Sequence, residues 1–216
     1  MPTNITPAMI TAPLALIGYS GHAFVVYDIF TSQNQPVTAY CDTEPKSRNP
    51  FGLVYLGAET NANTLLALKN HLYFISIGNN AVRSRLYHYL CSTLQFAPVN
   101  AIHAQAYIAQ QVQMGSGIMV GAKAVINPLA TLGNGVICNT GAIIEHECTV
   151  ADFAHIAPNA TLCGNVSVGE GSFIGAGSVV KEGIVIGKNA VVGAGTVVVK
   201  NVPDGATVAG NPQRHL

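Results

Sequence analysis

Glu145, His146, Glu147, Asp152 and His155 fall within eleven residues of a stretch that is otherwise almost free of ionisable groups. A histidine titrates near neutrality, so it can take the proton of an amine or hydroxyl as that group attacks an acyl carbon, a contribution of about 10²–10⁴-fold. A carboxylate beside it, here Glu147, can orient the ring and stabilise its protonated form. The combination is suited to acyl transfer. Exposed histidines can also be idle, but the local concentration of ionisable side chains favours a site. A zinc centre would need three well-placed histidines. Only His103, His146 and His155 lie along the repeats described below, with no His-x4-His pair, so no metal is expected. Cys138 and Cys148 occupy positions read below as inward-facing, which makes them core residues rather than nucleophiles.

A second set of candidates lies nearer the start of the chain. Leu14–Gly18 reads as a short apolar strand running into Tyr19-Ser20-Gly21-His22, and helical spacing follows over Ala23–Thr31. A glycine-bearing turn between strand and helix presents backbone N–H groups and the positive end of the helix dipole, which together suit a diphosphate. The turn is not GxGxxG, so a full dinucleotide fingerprint is absent. Asp42 ends a second strand, Val37–Cys41, where it could accept hydrogen bonds from a hydroxyl or a base. Gly78 follows a third strand, Leu72–Ile77, and lets a ligand approach the backbone. Helices are predicted over Asn61–Asn70 and Ala81–Cys91, the latter with Val82, Leu86 and Tyr89 on one face. Strands alternating with helices imply a small parallel sheet with a binding crevice at the strand carboxyl ends.

The chain changes character at Ala97-Pro98. From Ile102 to Val198 every sixth residue is apolar, seventeen positions without a slip, and the residue four further on is small or β-branched. No α-helix has that period, and an ordinary strand alternates with period two. A period of six fits a chain wound around a triangular prism, with a short strand on each side and corners at residues tolerant of unusual backbone angles. Three hexads make one coil, and nearly six coils stacked at the strand spacing give a prism roughly 25–30 Å tall. The sequence thus predicts two domains, 1–96 and 97–216.

Composition narrows the partners. Ten Lys and Arg balance ten Asp and Glu, so neither nucleic acid nor an anionic membrane is an expected partner. With 9% charged and 49% hydrophobic residues the chain is not disordered. The apolar run Ala124–Ile144 is broken by Asn, Pro, Thr and Gly, which argues against a membrane helix. Met1–Pro13 lacks a basic start and a continuous apolar core, so no secretory leader is expected. Five cysteines without a CxxC pair suggest a reduced, cytoplasmic, soluble protein.

The hexad, as in Val168-Gly169-Glu170-Gly171-Ser172-Phe173, resembles the left-handed parallel β-helix of hexapeptide-repeat acyltransferases, and the handedness is what that resemblance implies. Ile17-Gly18-Tyr19-Ser20-Gly21-His22, Asp42 and the segment Ile75–Arg83 resemble the N-terminal, Rossmann-like domain of nucleotide-sugar acetyltransferases. The similarity is to those of the bacillosamine pathway and the sialic-acid O-acetyltransferase group, in which this α/β domain holds a UDP-sugar. It implies that Ser20, Gly21, His22, Asp42 and Gly78 contact substrate. The family often shows two acidic residues after the second strand, where this chain has Cys41-Asp42. Asn139–Cys148, Asp152–His155 and Cys163–Val166 resemble the acetyltransferase core, and Gly210-Asn211-Pro212 matches the family's ending.

From that core the resemblance implies His146 as general base, Glu147 as the residue raising its basicity and His155 at acetyl-CoA. Gly164 would offer its N–H near the thioester carbonyl. Ala176 and Ala194 would line the coenzyme through their backbones, and Asn139 would join the substrate contacts. The implied activity is N-acetylation of the 4-amino group of a UDP-4-amino-4,6-dideoxy-N-acetyl-hexosamine with acetyl-CoA, serving glycan or glycoprotein synthesis. The alternatives are O-acetylation of a sugar such as sialic acid, N-acetylation of another nucleotide-amino sugar, or a non-catalytic nucleotide-sugar-binding scaffold. His146 and His155 are nine residues apart, half a coil, so within one chain they face apart. If both serve one transfer, the second comes from a neighbouring chain, which implies a homotrimer.

Overall fold

The structure is a computed structural model and describes residues 12–216. The leader-free reading of Met1–Pro13 therefore falls almost wholly outside the described residues. β1 (Leu14–Ile17) is buried along its whole length and sits inside a parallel sheet of order β3 (Val54–Tyr55), β2 (Val37–Cys41), β1, β4 (Leu72–Ile75). Leu14 and Leu16 face a layer made by α1 (Gly21–Ser32). Ala15 and Ile17 face the opposite layer, built from α2 (Ala62–Leu68) and α3 (Asn80–Leu94). Burial on both sides is why these strands read as apolar runs rather than as an alternation.

Two features depart from the sequence expectation. β3 is a two-residue edge strand with no apolar run to announce it. α3 buries Arg83, Leu86, Leu90 and Leu94, while Val82 and Tyr89 pack half-buried against the same cluster; the buried stripe extends to Arg83 because the helix packs against the β-helix as well as the sheet.

From Ala101 onward, two-residue strands recur every six residues and stack into three parallel sheets. Face 1 starts at Ala101, face 2 at Tyr107 and face 3 at Gln113. Partners lie one coil apart, so Ile137–Cys138 pairs with Met119–Val120 on one side and His155–Ile156 on the other. The second residue of each strand and the small residue four later fill the interior, as Leu132, Val136, Cys138 and Ala142 do. The corner residue has a left-handed backbone at every hexad from Gly117 to Gly195, and only Lys123, Leu129, Glu147 and Phe153 among these are neither Gly nor Asn. The last coil is shortened: Thr207–Ala209 pairs with the strand at Val191, and Arg214–His215 folds back antiparallel to close the end.

The α/β half lies on face 1. Outward residues Ala101, Met119 and Ile137 of that face join the apolar layer of α1. At the end of α1, Gln33 Nε2 donates to the Ile102 carbonyl at 2.8 Å, and Ser32 Oγ accepts from the Ala104 N–H at 3.0 Å. Among the described residues no helix is long and apolar enough to cross a membrane.

Candidate active site

The corner between faces 2 and 3 carries His146 and Glu147. The turn places them side by side, with His146 Nδ1 at 3.0 Å from Glu147 Oε2 and both side chains exposed. That pairing leaves Nε2 to exchange a proton with a substrate. Gly164 occupies the same corner one coil on. A Cβ there would come within 2.6 Å of His146 Cε1 and Nε2, so the imidazole rests against the Gly164 backbone. Among the described residues the Gly164 N–H donates to no acceptor, which leaves it available to a developing oxyanion. Neighbouring Glu145 is engaged elsewhere, accepting from Asn127 Nδ2 at 2.9 Å. Cys148 is in the core, its Sγ donating to the Cys163 carbonyl at 3.1 Å, and burial pushes the Cys138 thiol up to about 12. Neither thiol is placed as a nucleophile.

The second constellation forms where the sheet's carboxyl ends meet face 1. Ser20 caps α1 with an extended backbone, yet its exposed hydroxyl makes no capping bond. The first N–H groups of α1 are likewise free of protein acceptors among the described residues. Gly21 has nothing within 4 Å of a would-be Cβ, so the start of α1 is open there. Gly78 lies beside His22, whose Cγ is 3.9 Å from where a Cβ would sit. His22 and His155 rings have centroids 6.5 Å apart, and His155 Nε2 is 3.2 Å from Asn139 Nδ2.

His155 is the outward residue of its strand, yet it is only 8% exposed because the α/β half roofs it. Burial, reinforced by the nearby Arg83 charge, pushes His22 down to about 4 and His155 to about 3, so both are neutral at physiological pH. His22 Nε2 and His155 Nδ1 are buried and find no protein partner among the described residues. Two unpartnered ring nitrogens in one place mark a site that a polar ligand can satisfy. A cleft of about 690 Å³ adjoins it, lined by Gly78, Asn80, Arg85, Glu170 and Phe173 among others, and it does not include His146.

Asp42 stands at the end of β2 with both oxygens in use. Oδ2 accepts from the Tyr19 N–H at 2.9 Å, while Oδ1 accepts from the Thr43 N–H at 2.8 Å and pairs with Lys46 at 2.9 Å. Partial burial would raise this carboxyl, but Lys46 and the two amides outweigh it and hold it below the usual range. Asp42 thus fixes the turn after β1 through Tyr19, a role its position alone did not announce. Ala176 and Ala194 are exposed at the corner after face 1, two successive coils beyond the Asn139–Thr140 turn, and their N–H groups donate to no acceptor among the described residues. The chain therefore gathers Ser20, Gly21, His22, Gly78, Asn139 and His155 on one side of the prism. It holds His146, Glu147 and Gly164 at a different corner. Sequence reasoning missed Arg83 and Asn80, which join the two halves and are taken up below.

The comparisons agree with this architecture. Residues 13–90 match the PglD N-terminal domain, and residues 165–200 match the hexapeptide repeat of succinyl-transferase. Perosamine N-acetyltransferase from Caulobacter crescentus, solved with CoA and GDP-perosamine, is 33% identical at a TM-score of 0.90, over 97% of this chain and 99% of that one. The acetyltransferase domain of PglB from Neisseria gonorrhoeae, solved with acetyl coenzyme A, is 33% identical at a TM-score of 0.89, over 95% and 99%. WeeI from Acinetobacter baumannii is 25% identical at a TM-score of 0.79, over 94% and 99%. No curated protein sequence matches significantly. Identity of one-third over the whole length, on a fold with an α/β domain ahead of a left-handed parallel β-helix, is decisive: the chain belongs to the hexapeptide-repeat family of sugar N-acetyltransferases.

Proposed function

We propose that this protein moves an acetyl group from acetyl-CoA to the 4-amino group of a nucleotide-linked 4-amino-4,6-dideoxy sugar, of the UDP-N-acetylbacillosamine-precursor type, in the cytoplasm. The observation that carries the reading is the His146–Glu147 pair seated on Gly164, a base with one nitrogen held and the other free. In this reading His146 Nε2 removes the amine proton as the nitrogen bonds to the acetyl carbonyl carbon. Glu147 stabilises the imidazolium so formed, and the Gly164 N–H donates to the carbonyl oxygen as it gains charge. The sulfur leaves with the electron pair of the broken C–S bond and recovers a proton from His146. Residues 1–96 would hold the nucleotide sugar through Ser20, Gly21, His22 and Gly78, with Asn139 completing the contact and Asp42 shaping the turn. Residues 97–216 would hold the coenzyme through His155 and the free amides of Ala176 and Ala194.

GDP-perosamine bound to the Caulobacter relative favours a second reading in which the nucleotide is GDP. Two forms of that relative carry a replaced histidine together with CoA and GDP-perosamine, which supports a histidine at the centre of the chemistry. The test is thiol release from acetyl-CoA across UDP-, dTDP- and GDP-linked amino sugars and their hydroxy counterparts. Turnover with a 4-amino sugar and none with its hydroxy counterpart supports the proposal. Turnover with hydroxyl acceptors alone would make the protein an O-acetyltransferase, and binding without any turnover would make it a scaffold.

A further inference from the structure

Arg83 on α3 is 1% exposed, and no carboxylate pairs with it among the described residues. Its five N–H donors meet five acceptors instead. Nε donates to the Gly135 carbonyl at 2.7 Å, and Nη2 to the Phe153 carbonyl and to Asn80 Oδ1, each at 2.8 Å. Nη1 donates to the carbonyls of Ile77 at 3.1 Å and Gly78 at 3.0 Å. Asn80 extends the grip, its Nδ2 donating to the Gly171 carbonyl at 2.9 Å and to that of Ser172 at 3.2 Å. Gly135, Phe153 and Gly171 are left-handed corner residues of three successive coils, so they form one edge of the prism. Ile77 and Gly78 belong to the loop that ends β4 and borders the crevice.

We propose that Arg83 is a positioning residue that locks the Gly78 loop at a set distance from the β-helix edge at Phe153, two residues before His155, so that crevice and coenzyme side act as one site. This rests on the reading above that Gly78 and His155 contact the two substrates. Apolar packing of Ala101, Met119 and Ile137 already joins the halves further along face 1. A buried charge without a counter-ion is a poor way to add stability. What the guanidinium adds is direction: five fixed hydrogen bonds that only one placement of loop against coil satisfies. Its charge has a second consequence. Burial lowers Arg83 to about 10, so it stays cationic at neutral pH, where it disfavours protonation of His22 and His155. The groups facing His155 are His22 from α1, Arg83 from α3, the Gly78 backbone, which favours its protonated form, and Asn139 and Phe173 from adjacent coils, and of these only His22 and Arg83 titrate.

The experiment compares Arg83→Lys and Arg83→Met in the full chain by steady-state kinetics for both substrates and by NMR titration of the His22 and His155 rings. Lysine keeps the charge but loses the planar fork, so kcat should fall roughly 10²-fold, with modest KM changes and unmoved imidazoles. Methionine should lower kcat similarly and shift both imidazole pKa values upward. Wild-type kcat in folded Arg83→Lys would overturn the proposal, whether or not Arg83→Met folds. If the unsubstituted protein acetylates no sugar, the functional reading has failed instead, and a crystal structure of Arg83→Lys decides alone: a Gly78 loop unmoved against the Phe153 edge then overturns the role of Arg83.

Discussion

Glu147 sits at a φ of 60°, a conformation that most of the other corners assign to Gly or Asn. For a side chain with a Cβ that conformation costs roughly 1–2 kcal/mol. Strain of this kind persists where something else demands the residue. For Phe153, another exception, the demand is visible: its ring fills the space over Gly135 and packs edge-on to Tyr87 at 5.3 Å. For Glu147 the side-chain hydrogen bond found among the described residues is its 3.0 Å contact to His146. Glu147→Gly should therefore raise Tm while lowering kcat, and a loss of both would mean the carboxylate has a structural role. His146→Ala should lower kcat by ~10²–10⁴-fold with little change in either KM, toward the low end for an amine already partly unprotonated. Gly164→Ala should approach the same loss, because its φ is ordinary and the new Cβ would displace only the imidazole. A wild-type kcat for Gly164→Ala would show that the ring does not need that seat.

At the scale of elements, the two glycines of the β1–α1 turn have opposite requirements. Gly18 has a φ of 87°, and a Cβ there would lie 2.5 Å from Ile77 Cγ1, so any substitution disturbs the turn. Gly21 opens onto free space, so Gly21→Leu should fold normally, raise KM for the nucleotide sugar and leave KM for acetyl-CoA nearly unchanged. A selective loss of acetyl-CoA affinity would reverse the assignment of the two halves. Where α1 meets face 1, His22 and His155 make stability depend on pH. Their folded pKa values, about 4 and about 3, lie below the unfolded value of 6.5, so the unfolded chain takes up protons first as pH falls. The stability they contribute is complete above that unfolded value and is lost as pH drops toward their folded values. Tm should decline from about pH 7 to about pH 4.5, and a His22→Gln/His155→Gln variant should flatten that slope. An unaltered slope would mean that other groups carry it.

These contacts also mark what a one-dimensional reading can reach. The inward Ile102-to-Val198 period is set by each coil's own interior, so it is legible residue by residue, and the apolar strands of the sheet are legible for the same reason. The burial of His155 under α1, the Arg83 grip and the consumption of Asp42 by Tyr19 and Lys46 arise between elements distant in sequence. No local pattern encodes them. The bond between Asn139 and His155 could have been anticipated from their sixteen-residue separation, since positions about one coil apart are neighbours on adjacent coils.

For the whole molecule the decisive fact is the half-coil between His146 and His155. One lies exposed at the corner between faces 2 and 3, the other lies on face 1 beneath the α/β half, and the body of the prism separates them. On that placement, both can serve one acetyl group only if the second comes from a neighbouring chain. Face 2 links the His146 corner to the corner of Ala176 and Ala194, and its outward residues Tyr107, Val125, Ile143, Thr161, Val179 and Val197 are apolar or hydroxylated, with no charge among them. Such a surface suits a second copy of the same prism, and a closed ring of three would set each His146 against a neighbour's His155 in three equivalent sites. The arrangement predicts complementation. His146→Ala and His155→Ala chains should each lose most of their activity when alone, but in a mixed ring one interface joins an intact His146 to an intact His155. Random mixing at equal concentration should restore about a quarter of the wild-type sites. The measurement is acetyl transfer after the two variants are dissociated, mixed and reassembled, with mixed rings verified by tagging one parent. Activity near that fraction places the site between chains, whereas verified mixed rings without activity would place both histidines' work within one chain.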